Sequence, residues 1–228
     1  MNCKGNPSSD IKCSRRTHSK KVNSLADLIE QYRSKYNLRK VWHKQISFPE
    51  ATFGDVIFPP AEPIKDTLSN NEWDKFLKQV KIHPHQSRYY SKSELREIAE
   101  HLAKHWNRNS FKDFEDLYDY IRGILCSTPS NSNILVKNPL ALLIYDIALR
   151  LAHRFGVWPK KYVYLNGSGP FEAIKILGLG KLKKKRRILY SDIITRYPKL
   201  GILDAAELED FLCIYKKEIL ELQTKGLL

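Results

Sequence analysis

The stretch Ser91-Lys-Ser-Glu-Leu-Arg-Glu-Ile-Ala-Glu-His-Leu-Ala-Lys-His-Trp106 decides the fold class. Ser91 and Glu94 stand three apart, the spacing at which each side chain satisfies the other residue's free backbone N–H at a helix start. Leu95, Ile98, Leu102 and Trp106 then recur at three- and four-residue intervals and supply one buried helical face. The same grammar repeats on both sides. Upstream, Leu25, Leu28, Ile29 and Tyr32 share a face after Ser24, and Trp73, Phe76, Leu77 and Val80 follow helix spacing after Ser69. Downstream, Ser110 with Asp113 predicts a helix start, followed by Phe114, Leu117, Tyr118, Ile121 and Leu125. A helix from about Pro139 to Phe155 carries Leu140, Leu143, Ile144, Ile147 and Leu151, with Gly156 placed to end it. A shorter one runs from Ser168 to Leu177 and is stopped by Gly178.

The last helix begins near Asp204, with Glu207 completing its cap, and buries Leu208, Phe211, Leu212, Tyr215 and Ile219. Its Glu209 and Asp210 read as a polar face. Tyr162 to Leu165 is the one strand-like segment. The expected fold is all-α, an irregular multi-helix globular domain over residues 24–228. Residues 1–23, rich in Ser, Lys, Arg and Asn, read as a flexible basic arm. Residues 37–67, with Pro49, Pro59, Pro60, Pro63 and Gly54, read as an extended segment laid over the core.

A chain of 228 residues with 42% hydrophobic and 28% charged residues has enough apolar material for a substantial core. The longest apolar-rich run, Pro139 to Ala152, is interrupted by Asp146 and Arg150, so no membrane span is expected. The start lacks the contiguous apolar core of an export signal. Cys3, Cys13, Cys126 and Cys213 fit neither a zinc knuckle nor a disulfide framework, and reduced thiols in a cytoplasm are expected. Cys213 reads as core packing. No phosphate-cradling glycine loop, nucleophile elbow or dinucleotide fingerprint is present, which disfavours ATP- or NAD-dependent chemistry; neither cofactor nor metal is expected.

The net charge of +14 is unevenly placed: residues 1–23 carry a net +5, and the run Lys181 to Arg187 carries six cations without an acid. Lys181, Lys183, Lys184, Lys185, Arg186 and Arg187 are therefore the candidate phosphate-binding residues. Six crowded cations repel one another and attract a polyanion, so nucleic acid is the expected partner, DNA favoured over RNA. An acidic protein partner remains the alternative use of the same run.

Several elements between residues 134 and 216 occur in a familiar order: Ile134-Leu-Val-Lys-Asn-Pro139, Phe155-Gly-Val-Trp-Pro159, Val163-Tyr-Leu-Asn166 and Gly178-Leu-Gly180. This order distantly resembles the helix-hairpin-helix DNA glycosylase superfamily. The resemblance implies a DNA-binding scaffold. The family hairpin carries a Gly-x-Gly where this chain has Asn138-Pro139-Leu140, and the family's catalytic aspartate falls at Tyr164. What is implied is a scaffold with lost or rewired chemistry, with Lys137 the one nearby amine of nucleophilic type.

A rival reading comes from Arg96-Glu-Ile-Ala-Glu-His101, an Arg-x4-His spacing similar to that of HEPN-type ribonucleases. There an arginine stabilises developing phosphate charge while a histidine moves a proton. His101 and His105 also stand four apart, a spacing compatible with metal ligands, but no third ligand is evident. Tyr89 and Tyr90 beside Arg88 have the chemistry to stack bases, although packing before a helix cap is the plainer account.

Overall fold

The computed structural model describes residues 23–35, 69–79, 90–126, 142–179 and 187–228. Among them the chain is mostly helical. In chain order the elements are α1 (Leu25–Lys35), α2 (Asn70–Gln79), α3 (Lys92–His105), α4 (Phe114–Cys126), α5 (Leu142–Phe155), β1 (Tyr162–Tyr164), α6 (Ser168–Ile176), β2 (Arg187–Leu189), α7 (Tyr190–Arg196), a 3-10 turn (Pro198–Ile202), α8 (Ala205–Ile214) and α9 (Lys216–Thr224). No helix of the described residues is long and apolar enough to cross a membrane.

The caps form as the sequence dictates. At α3 the Glu94 backbone N–H donates to Ser91 Oγ at 3.2 Å and the Ser91 N–H donates to Glu94 Oε2 at 2.7 Å. Asp204 and Glu207 make the same reciprocal pair at α8. Gly156 and Gly178 both adopt positive φ, +67° and +64°, where a side chain is strained. At Gly178 the Leu179 N–H reaches Ile174 O and the Gly178 N–H reaches Lys175 O, closing the free carbonyls of α6.

Four expectations are corrected. The fourth helix starts at Phe114, because Asp113 Oδ1, not Ser110, accepts the Asp116 N–H (2.9 Å). Trp106 is the C-cap of α3 and only partly buried, so the buried face of α3 ends at Leu102. The last helix is two: Tyr215, at φ −101° and ψ 18°, breaks it, and the new direction of α9 lets Ile219 and Leu222 join a core that α1 and α6 share. The strand near Tyr162 has a partner, β2, that pairs with it antiparallel: Tyr162 opposite Leu189, Val163 opposite Ile188, Tyr164 opposite Arg187. A single extended segment leaves its backbone groups unpaired, so a partner strand is what such a segment requires.

Two apolar clusters make the core. One gathers α2 to α5 with Tyr164 and Ala206; the other gathers α1, α6, α7, α8 and α9 with Val163 and Leu165. Alternating side chains of a strand point to opposite faces, so β1 contributes to both clusters from one short run. From Leu143 to Ala152 every residue of helix α5 except the half-buried Asp146 is buried, more than its periodicity requires.

Polar groups lie among these clusters. Arg150 is 4% exposed, Asn166 7% and Glu209 8%. Asn166 Nδ2 donates to Tyr118 Oη, and Tyr32 Oη donates to Asp210 Oδ2, both at 3.0 Å. Glu209 is thus an interior group and Asp210 a half-buried one, and neither lies on a polar face: Tyr32 of α1 meets Asp210, and Asp146 of α5 lies in the field of Glu209. Burial pushes the Asp210 carboxyl up to about 6, against the opposing Tyr32 hydrogen bond, and pushes Glu209 well above the usual carboxylate range, helped by Asp210 and Asp146.

An acid whose folded value is raised favours the folded state below its unfolded value and loses that contribution as pH rises through the folded one. Stability should therefore fall between about pH 4 and pH 7. For Asp210 alone the loss is at most roughly 3 kcal/mol. Asp210→Asn keeps an acceptor for Tyr32 and should flatten that slope, gaining most over the parent near pH 8. Urea unfolding across pH is the check, and parallel profiles would refute the assignment.

Candidate nucleic-acid interface

The basic run meets the structure at its last residue. Helix α6 ends at the Gly178 turn, residues 180–186 lie outside the described residues, and Arg187 opens β2. Of the six candidate phosphate-binding cations, Arg187 is therefore the one placed, and Lys181, Lys183, Lys184, Lys185 and Arg186 belong to the segment between Leu179 and Arg187. The last cation of the run thus stands in a strand.

Arg187 is half-buried, and its guanidinium carbon stands 4.4 Å from the centre of the Tyr162 ring. Lys161 Nζ lies 5.3 Å from the centre of the same ring. Cations over an aromatic face are held by the ring quadrupole without losing their charge. Lys160 and Lys161 are exposed beside them. Arg196 approaches from α7: its guanidinium lies 3.5 Å from where a Cβ on Gly178 would stand. The β1–β2 strand pair thus presents cations next to the segment that carries five more.

Glu115, in the first turn of α4, borders this group. Its Oε1 is buried without a hydrogen-bond partner. Burial pushes its carboxyl above the usual range, with Asp113 adding to the shift, while Arg187 and Lys161 oppose it. The carboxylate therefore shares the field of two cations that a phosphate would use. Glu115→Gln should raise affinity for a polyanion by roughly threefold at pH 7 and low salt. It should also remove the gain in affinity that the parent shows as Glu115 takes up a proton on acidification. Weaker binding by the variant, measured by anisotropy, counts against this electrostatic role.

Tyr164 does not face a cleft. It is 2% exposed, packed against Phe114, Tyr118 and Tyr145 with ring centres 4.8 to 5.3 Å away. Burial raises its hydroxyl far above the usual value, with Arg187 opposing. No catalytic role attaches to it. Lys137, Asn138, Pro139 and Leu140 lie outside the described residues.

Arg96 and His101 are not brought together. Arg96 pairs with Glu100 at 3.0 Å, donates to Asn70 Oδ1 at 2.6 Å, and lies 5.5 Å from the Trp73 ring centre. His101 Nε2 instead meets the Ile124 carbonyl oxygen at 3.2 Å, on the side of α3 that faces α4. Burial and the neighbouring His105 push its pKa down. The His101 and His105 rings are 4.3 Å apart, yet no group of three metal-ligating side chains occurs among the described residues. Tyr90 packs against the first apolar cluster; Tyr89 and Arg88 lie outside the described residues, as do Cys3 and Cys13. Cys126 and Cys213 are free thiols, raised by burial, Cys213 to about 12. Neither is activated as a nucleophile.

Two groupings escape a reading of the sequence. The Lys161–Tyr162–Arg187 cluster joins residues separated by a helix, and its one local signal is the alternation Tyr-Val-Tyr against Arg-Ile-Leu. The other is a group of partly buried rings, Trp106, Phe111, Tyr120 and Phe155, for which no periodic signal exists. No family model matches the chain, and searches of curated proteins and of solved structures find no significant match.

Proposed function

We propose that this protein binds nucleic acid through the basic β1–β2 strand pair and the cationic segment leading into its second strand. The observation that carries the reading is the placement of Arg187 over Tyr162 beside Lys161, which anchors one end of a six-cation run on an already cationic surface. Phosphate neutralisation by such a surface supplies affinity without base sequence preference. The helix-hairpin-helix likeness makes duplex DNA the favoured polymer, and no glycosylase step is assigned.

The decisive measurement is binding of the full chain to duplex DNA, single-stranded DNA and RNA between 50 and 200 mM salt. If all six cations meet phosphates, log K should fall against log salt with a slope of about −5. No binding at the lower salt, or a slope near zero, ends the proposal. Binding of an acidic protein through the same cations should survive nuclease treatment, whereas a complex bridged by nucleic acid should not.

A further inference from the structure

We propose that the rings of Trp106, Phe111, Tyr120 and Phe155, flanked by Arg108 and Arg154, form a stacking platform for unpaired nucleobases. The inference rests on the nucleic-acid reading of the β1–β2 strand pair and extends it from phosphate to base.

The four rings form one continuous group. Phe111 lies 5.0 Å from Phe155 and 5.6 Å from Trp106, and Trp106 lies 5.1 Å from Tyr120, all edge-on. Trp106 and Phe155 are nearly parallel, 15° apart at 5.8 Å. Rings deeper in the same cluster, Phe114 and Tyr118, are fully buried, whereas these four keep part of their surface in solvent.

Their polar edges are already tied to the protein. The Trp106 indole N–H donates to the Arg108 carbonyl at 2.7 Å, and the Tyr120 hydroxyl donates to Asn107 Oδ1 at 2.6 Å. The rings are thereby fixed in position while their remaining polar needs are small, which suits a sequence-tolerant contact with flat bases. Fixed aromatic side chains of this kind lose little freedom on binding.

Charge selects the occupant. The Arg108 guanidinium lies 4.5 Å from the Phe111 ring centre and 5.3 Å from that of Tyr120. Arg154 stands 5.9 Å from that of Phe155. Asp116 holds Arg108 through two bonds of 3.0 and 2.7 Å, so that pair is neutral overall, while Asp119 pairs with Arg122 at 3.1 Å and Asp113 caps α4. Lys104 and Lys112 are exposed close by. Flat apolar faces among cations complement bases carried on a phosphate chain.

Location supplies the connection. The first turn of α4 presents Asp116 to Arg108 on the platform side, and its neighbour Glu115 lies in the field of Lys161 and Arg187 on the side of the β1–β2 pair. Phe155 is linked to Lys161 by only the short Gly156–Lys160 connection. One strand can therefore meet phosphate-binding cations and the platform around the same helix end.

The test compares two single-stranded oligomers of equal length on the full chain, oligo-dT and an abasic oligomer that keeps the phosphates but lacks bases. The base-bearing strand should bind about tenfold more tightly, and Trp106→Leu, which keeps an apolar side chain, should erase most of that preference with the salt slope unchanged. Phe111→Leu should act in the same direction. Equal affinity for the two oligomers on the parent chain, a comparison that needs no variant to fold, overturns the platform and leaves the strand-pair reading intact. A folded Trp106→Leu protein with an undiminished preference also overturns it. Failure of both oligomers and of duplex DNA to bind overturns the strand-pair reading itself.

Discussion

Replacing Lys181, Lys183, Lys184, Lys185 and Arg186 together by glutamine should weaken binding to a duplex DNA oligomer by two to four orders of magnitude near 0.1 M salt, about one order or less per lost phosphate contact. The salt slope should shrink by about one for each contact removed. Arg187 is deliberately retained in this variant, because its guanidinium packs on Tyr162 and its backbone pairs with Tyr164 across the two strands. Loss of affinity then reports lost phosphate contacts and not a loosened strand pair. Arg187→Gln alone should cost a smaller amount and lower the slope by about one. Affinity and slope both unchanged in the five-residue variant, measured by anisotropy on protein of unaltered helicity, would falsify the proposed interface.

The second large effect concerns stability. Gly169→Val should destabilise the fold by about 3 kcal/mol, at the upper end of overpacking costs. A Cβ at this position would stand 3.0 Å from Cys213 Sγ, 3.1 Å from Cys213 Cα and 3.3 Å from its carbonyl oxygen. Helices α6 and α8 therefore meet almost backbone to backbone, and only hydrogen fits between them. Valine adds two methyl groups beyond that Cβ, and the few tenths of a kcal/mol gained in helix propensity over glycine cannot offset the clash. Adding Cys213→Ala removes the sulfur but leaves the 3.1 Å approach to the Cα, so the double variant should recover only part of the loss. Urea unfolding reads both effects. A Gly169→Val protein as stable as its parent would mean that the two helices are free to separate there.

Much of the helical framework was legible locally. Leu25, Leu28, Ile29 and Tyr32 are all buried on α1, and both reciprocal caps, Ser91 with Glu94 and Asp204 with Glu207, form. Glycines Gly156 and Gly178 end their helices because each adopts a backbone conformation that other residues resist. The helix break at Tyr215 was not legible, since Leu212, Tyr215 and Ile219 keep helical spacing across it. Nor was strand β2, because Arg187-Ile-Leu189 is too short to show a period of its own.

By itself the sequence determined the mostly helical class, the starts of most of the described helices and the concentration of charge in two short segments. Caps and helical faces depend on side chains three or four positions apart, so their physics is contained in the local chain. Tertiary structure decided what the polar and aromatic residues do. The Tyr32–Asp210 hydrogen bond joins positions 178 residues apart, and Arg187 reaches Tyr162 only through antiparallel pairing. Glu209 became an interior acid, Tyr164 a core residue, and Trp106 a member of a surface ring cluster. Burial and electrostatic field are set by neighbours brought together in space, and neither is a property of the residue or its near sequence.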